Sequence, residues 1–219
     1  PDEDIRGYAE FLFRNDYAPY TAKQWGISPT EIDPSVLKRV PLRFSYDEGY
    51  FGDDYQVMPR HSFTHFFENL LHHPNITVQL GIDALERLRI RDGKLMLDGE
   101  VCRIPVVYTG ALDELFDREY GRLPYRSLRF EWWYTDKSSV QEAPVVAYPQ
   151  EPGFTRITEY KKLPPQEGRG SSYALEYPLP YDGPDSAEPY YPVLTEESQK
   201  QYAQYRDAAE KIPNLILCG

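Results

Sequence analysis

The chain has 219 residues, enough for one or two domains with a buried core, and its net charge is −11. That acidity excludes a general nucleic-acid or anionic-membrane surface, because such binding needs a basic field. Tyr contributes 19 residues and Pro 20, the mark of an irregular, aromatic-rich fold, while Cys102 and Cys218 form no CxxC and indicate neither a disulfide framework nor a Cys-based zinc site.

From the amino terminus, Ile5, Tyr8, Phe11 and Leu12 fall at helical spacing behind Asp2, Glu3 and Asp4, predicting an amphipathic helix over residues 2–17. Ser28-Pro29-Thr30-Glu31 and Asp33-Pro34 each read as a helix start, the second running over Val36 to Arg39 in a Pro-punctuated, mobile loop. Leu42, Phe44 and Tyr46 alternate as a strand. Ser62 caps a helix carrying Phe63, Phe66, Phe67, Leu70 and Leu71, and Pro74-Asn75 ends it before a strand over Ile76 to Leu80. Asp92-Gly93 between Leu88-Arg89-Ile90 and Leu95-Met96-Leu97 predicts a hairpin. A strand over Val101 to Gly110 then precedes a short helix, Leu112 to Phe116. Strands without intervening helices follow over Leu128 to Tyr134, Val145 to Tyr148, Thr155 to Leu163 and Tyr173 to Leu179, which predicts an antiparallel layer. Glu196 to Ile212 returns to helix and leads into a strand at Leu215-Ile216-Leu217-Cys218.

The fold class expected from this pattern is α+β, a mixed α/β chain with a helical segment, part of an α/β layer and an antiparallel sheet layer. It divides into a helical segment over 1–41, an α/β segment over 42–120, an antiparallel sheet over 121–183 and a returning helix and strand over 184–219. The longest apolar runs are far too short to span a bilayer and no signal segment opens the chain, so a cytoplasmic location is expected. The start at Pro1 and the apolar finish at Gly219 read as those of an excised piece.

His61 and His65 sit four apart on a predicted helix, but a catalytic zinc needs a third ligand that no signature supplies, and no metal is assigned. Asp53-Asp54, Asp113-Glu114 and Glu196-Glu197 read as caps or solvated charge and identify no general base. The Arg and Tyr set is different. Arg39, Arg43 and Arg156 lie in segments rich in Tyr20, Trp25, Tyr46, Tyr50, Phe51, Tyr190 and Tyr191. Arg forks suit diphosphate oxygens, and Tyr hydroxyls add neutral donors. Each aromatic taken singly is more often core, and each Arg more often a surface ion pair, so only the ordered set carries weight.

The ordered motifs include Tyr20-Thr21-Ala22-Lys23-Gln24-Trp25-Gly26, Arg39-Val40-Pro41-Leu42-Arg43-Phe44, Val107-Tyr108-Thr109-Gly110, Tyr125-Arg126-Ser127-Leu128, Thr155-Arg156-Ile157 and Glu188-Pro189-Tyr190-Tyr191-Pro192. In this order, over nearly the whole chain, they resemble UDP-galactopyranose mutases. The resemblance implies a flavoprotein isomerase that interconverts UDP-galactopyranose and UDP-galactofuranose with reduced FAD, in which the flavin N5 is the nucleophile and no side chain is assigned a catalytic role. It matches Arg39, Arg156, Tyr50 and Tyr190 to the diphosphate, Tyr20 to uracil stacking, Trp25 to the cleft wall, and Ile32 to Leu42 to a closing loop. Tyr108, Thr109 and Gly110, a strand end before a helix in an α/β layer, are the candidate flavin contacts.

The Gly-rich βαβ unit that would cradle the FAD diphosphate is absent, so the chain is expected to be the substrate-binding portion of such an enzyme, inactive and without bound FAD when isolated. The partners expected are the UDP-sugars, with no nucleic acid or membrane, and a homo-oligomer is left open. Pro59-Arg60-His61-Ser62-Phe63-Thr64 and Ala147-Tyr148 depart from the family's Pro-x-x-Gly-Tyr-Thr and Asn-Tyr, which leaves room for a paralogue acting on another UDP-sugar. A UDP-binding module without chemistry is the alternative.

Overall fold

The computed structural model describes residues 2–36, 46, 52–183 and 187–218. The chain is α+β and divides into two compact units, Pro1–Pro74 with Tyr125–Tyr191, and Asn75–Pro124 with Pro192–Gly219.

Helix α1, Glu3–Leu12, forms behind Asp2, whose side chain accepts the Asp4 amide. The helical path does not end at residue 17. It widens into a π-helical turn, Phe13–Tyr17, and continues as α2, Ala18–Trp25. Pro19 cannot donate an amide to the preceding turn, and the widened turn before it absorbs that gap. Gly26, with φ at +69°, ends α2 in a left-handed cap and donates its amide to the Ala22 carbonyl.

The two helix starts expected after it are turns as far as the structure describes them. Ser28 Oγ accepts the Thr30 amide and Asp33 Oδ1 accepts the Ser35 amide, and such local side-chain bonds compete with a helical ladder. The strand expected at 42–46 lies, apart from Tyr46, outside the described residues. Helix α3, Phe63–Leu71, forms behind Ser62, whose hydroxyl accepts the His65 amide at 3.0 Å. Phe63, Phe66, Phe67 and Leu70 stay exposed along it.

The strand expected over Ile76 to Leu80 does not form, since no described segment pairs with it, and a strand exists only through its ladder. After the short helix α4, Ala84–Arg87, come β1, Leu88–Arg91, β2, Lys94–Leu97, and β3, Glu100–Val101, an antiparallel meander. Asp92 and Gly93 take φ values of +50° and +68°, the turn that a two-residue hairpin needs. The long strand expected over Val101 to Gly110 forms only in pieces: β3 ends at Val101, residues 102–105, closed by Pro105 with no amide to give a ladder, are not strand, and β4, Val106–Tyr108, follows, then α5, Leu112–Leu115.

The larger sheet is antiparallel through its long ladders and contains β5, Tyr125–Thr135, β6, Val145–Ala147, β7, Arg156–Glu159, β8, Ser171–Pro180, and β9, Tyr191–Pro192, in the order β6-β7-β8-β5-β9. Helix α6, Glu196–Ala209, starts at a Thr195 capping box, and β10, Leu215–Leu217, pairs parallel with β4. Tyr205 of α6 is fully buried between the rings of Phe116 and Tyr120.

Candidate functional site

Cross-strand register places side chains on faces. Arg156 on β7 and Phe130 on β5 both pair with Glu176 on β8, so the three share one face of the sheet. Glu176 is 6% exposed and Arg156 34%. The Arg156 Nε lies 2.7 Å from Glu176 Oε1, but its N–H is not aimed at that oxygen, so the contact is an ion pair more than a hydrogen bond. The Arg156 Nη2 donates to the Tyr191 hydroxyl at 3.3 Å. Burial alone would lower the Arg156 pKa; the Glu176 carboxylate more than offsets this and holds the guanidinium charged.

Helix α2 brings two aromatics to the same cluster. Trp25 is buried and meets the Tyr191 ring edge-on, with centroids 6.0 Å apart. Tyr20 is half-buried, and burial raises its phenol pKa, with Arg156 pulling the other way and Glu176 and Tyr191 adding to the rise. The phenol is therefore a neutral donor at physiological pH, held beside a permanent cation.

Tyr190 stands at the margin. It is exposed, packs edge-on against Phe130 at 6.1 Å, and donates its backbone amide to the Arg126 carbonyl. Burial, with Glu188 next, raises its phenol pKa. Further along the same face, Trp132 stacks on Tyr160 with centroids 5.1 Å apart. The structure thus brings Tyr20, Trp25 and Arg156 together and reaches Tyr190 through Tyr191. Arg39 and Tyr50 lie outside the described residues.

Glu176 was not among the residues picked from the sequence, and Tyr191 was named there only as a member of the aromatic set and of its motif, without a role of its own. Glu176 is the lone acid in a ten-residue strand, which was the available signal. Nothing local distinguishes Tyr191 from Tyr190.

Tyr108, Thr109 and Gly110 sit in the other unit. Tyr108 is buried, and its hydroxyl donates to the Ala111 carbonyl at 3.1 Å. A Cβ on Gly110 would come within 2.6 Å of that hydroxyl, so the glycine makes room for the ring. Thr109 and Gly110 are exposed at the carboxyl end of a strand in a parallel pair. Among the described residues no group of three His, Cys, Asp or Glu side chains is placed to hold a metal, and no helix is long and apolar enough to cross a membrane.

A guanidinium fixed by a buried carboxylate, with phenols and an indole around it, has chemistry suited to a ligand that joins an anionic group to a flat ring. Comparison with known proteins narrows this class. The family model for UDP-galactopyranose mutase matches residues 15–219, and the chain belongs to that family. It is 35% identical over 220 residues to a dTDP-fucopyranose mutase of Escherichia coli, covering 100% of this chain and 56% of that protein. It is 36% identical over 216 residues to a UDP-galactopyranose mutase of Mycoplasma pneumoniae, covering 96% of this chain and 54% of that protein. A probable UDP-galactopyranose mutase of Klebsiella pneumoniae is 33% identical over 220 residues, covering 100% of this chain and 54% of that protein. The chain spans about half the length of the curated relatives it matches.

Proposed function

We propose that this chain forms the substrate-binding part of a flavin-dependent mutase that interconverts UDP-galactopyranose and UDP-galactofuranose in the cytoplasm. One observation carries the reading: Arg156, positioned by Glu176 and Tyr191, stands in one cluster with Tyr20 and Trp25. Ring contraction requires the bond between the anomeric carbon and the diphosphate to break, so negative charge builds on the departing UDP. Arg156 and Arg39 neutralise that charge, and the hydroxyls of Tyr50 and Tyr190 donate to the same oxygens. Tyr20 stacks on the uracil and Trp25 closes the cleft wall. Residues 32–42 are assigned as the loop that closes on the nucleotide; residues 37–42 of it lie outside the described residues.

Reduced FAD, when bound, supplies the nucleophile for the anomeric carbon. Exposed Thr109 and Gly110 at the strand end fit a role in holding it, while Tyr108 packs beneath the turn and supports it. The Gly-rich βαβ unit is absent from these residues, so flavin binding and turnover are assigned to the full-length protein, and this chain alone is assigned substrate contacts only.

The test is calorimetric titration of UDP into the full-length protein and its Tyr20→Ala and Arg156→Ala variants. Loss of one charge-assisted contact at Arg156 should cost about 1.5–3 kcal/mol, a tenfold or greater loss of affinity. Equal binding by wild type and Arg156→Ala would remove Arg156 from the site.

A second reading has its own support. The Escherichia coli relative matched over the whole chain is named a dTDP-fucopyranose mutase, so a dTDP-sugar is the competing substrate. Parallel titrations with UDP and dTDP separate the two, since preference for dTDP would favour the second.

A further inference from the structure

We propose that Lys23 is a positioning residue, whose ammonium group fixes the helix bearing Tyr20 and Trp25 against the hairpin loop that delivers Arg156. This rests on the reading of Arg156 as a diphosphate contact. Lys23 lies between the two aromatics on α2. Its Nζ donates to the carbonyls of Tyr148 at 2.6 Å, Glu151 at 2.5 Å and Phe154 at 2.7 Å. An ammonium has three N–H donors and no acceptor, and three converging carbonyls satisfy it completely.

The three carbonyls belong to the connection between β6 and β7. Ala147, the last residue of β6, pairs with Arg156, the first of β7, and the Tyr148 amide donates to the Thr155 carbonyl at 2.8 Å across the neck of the loop. Lys23 therefore grips the loop whose carboxyl end sets the start of the Arg156 strand. A weaker tie runs beside it, from Gln150 Nε2 to the Asn15 carbonyl at 3.4 Å. Burial lowers the Lys23 pKa, with Glu151 opposing, so the side chain is partly withdrawn from water and held by backbone dipoles. A methionine of similar length fills the space but leaves the carbonyls without their cation, and the loop can then move relative to Tyr20.

The experiment is a double-mutant cycle in the full-length protein: wild type, Lys23→Met, Arg156→Ala and the double variant, each titrated with UDP. Amide hydrogen exchange is followed at Tyr148 and Thr155, whose amides donate to the Thr155 and Glu176 carbonyls. Lys23→Met should weaken UDP binding about tenfold in the wild-type background and less than about twofold once Arg156 is gone, because the two residues act on one geometry. Exchange at Tyr148 and Thr155 should accelerate while α6 keeps its protection. Unchanged affinity in a folded Lys23→Met protein, or an equal loss in both backgrounds, overturns the proposal. If Lys23→Met does not fold, Lys23→Arg, which keeps the charge but offers a planar fork, carries the same cycle. If wild type does not bind UDP, the substrate reading fails separately, and unaltered exchange at Tyr148 and Thr155 still overturns the latch.

Discussion

Replacing Arg156 by Met separates stability from binding. Glu176 would keep its buried carboxylate and lose the guanidinium 2.7 Å away. Removing one partner of a fully buried pair costs about 3–5 kcal/mol; Arg156 keeps a third of its surface in water, which screens the pair, so about 2–3 kcal/mol is the better figure here. For a chain of this size that corresponds to a fall in Tm of roughly 5–10 °C. Equilibrium denaturation should show a lower midpoint at unchanged m. Adding Glu176→Gln removes the stranded charge and should restore half or more of the lost stability without restoring UDP binding. An Arg156→Met protein as stable as wild type would refute the ion-pair argument, and a double variant that binds UDP like wild type would refute the role of Arg156.

Other perturbations test other parts of the chain. Glu159 is fully buried and accepts from Ser171 Oγ, Ser139 Oγ and the amides of Val140 and Gln141; burial raises its pKa, but these bonds outweigh that and hold it below the usual carboxylate value. A group with a depressed folded pKa contributes stability above its unfolded pKa of about 4.3 and loses it as pH falls through the folded value, so Glu159→Gln should flatten the acid limb of a stability–pH curve. An unchanged acid limb would contradict this. Tyr205→Phe removes the hydroxyl that accepts the Tyr120 amide and donates to the Gly121 carbonyl, and should cost about 1–3 kcal/mol by urea denaturation. Gly170→Ala places a Cβ against the Tyr134 hydroxyl and 2.7 Å from the Thr135 carbonyl oxygen at a φ of +74°, and should destabilise the protein by more than about 1 kcal/mol.

Local chemistry was legible from the residues alone. The Asp92-Gly93 turn, the Ser62 cap of α3 and the long strands β5 and β8 form where the pattern places them, because each depends on neighbours in sequence or on simple alternation. The failures have the opposite character. Ile76 to Leu80 has strand composition but no partner among the described residues, and partnership is a property of the rest of the chain. The path of α1 into α2 depends on a π-turn that spacing does not reveal. In the site, Tyr20, Trp25 and Arg156 were visible as members of ordered motifs, whereas Glu176 and Tyr191 acquire their roles only through pairing and packing between distant segments. Lys23 was visible in its motif, but its three carbonyl partners lie more than a hundred residues away.

Turnover by the full-length protein tests the central claim most directly. With FAD reduced by dithionite, UDP-galactofuranose should be converted to UDP-galactopyranose, followed by chromatography of the two nucleotide sugars, and Arg156→Ala should slow the conversion by tenfold or more, in line with about 1.5–3 kcal/mol of lost charge stabilisation. No conversion of the UDP-sugar, or conversion confined to dTDP-fucopyranose and its furanose form, would contradict the assignment.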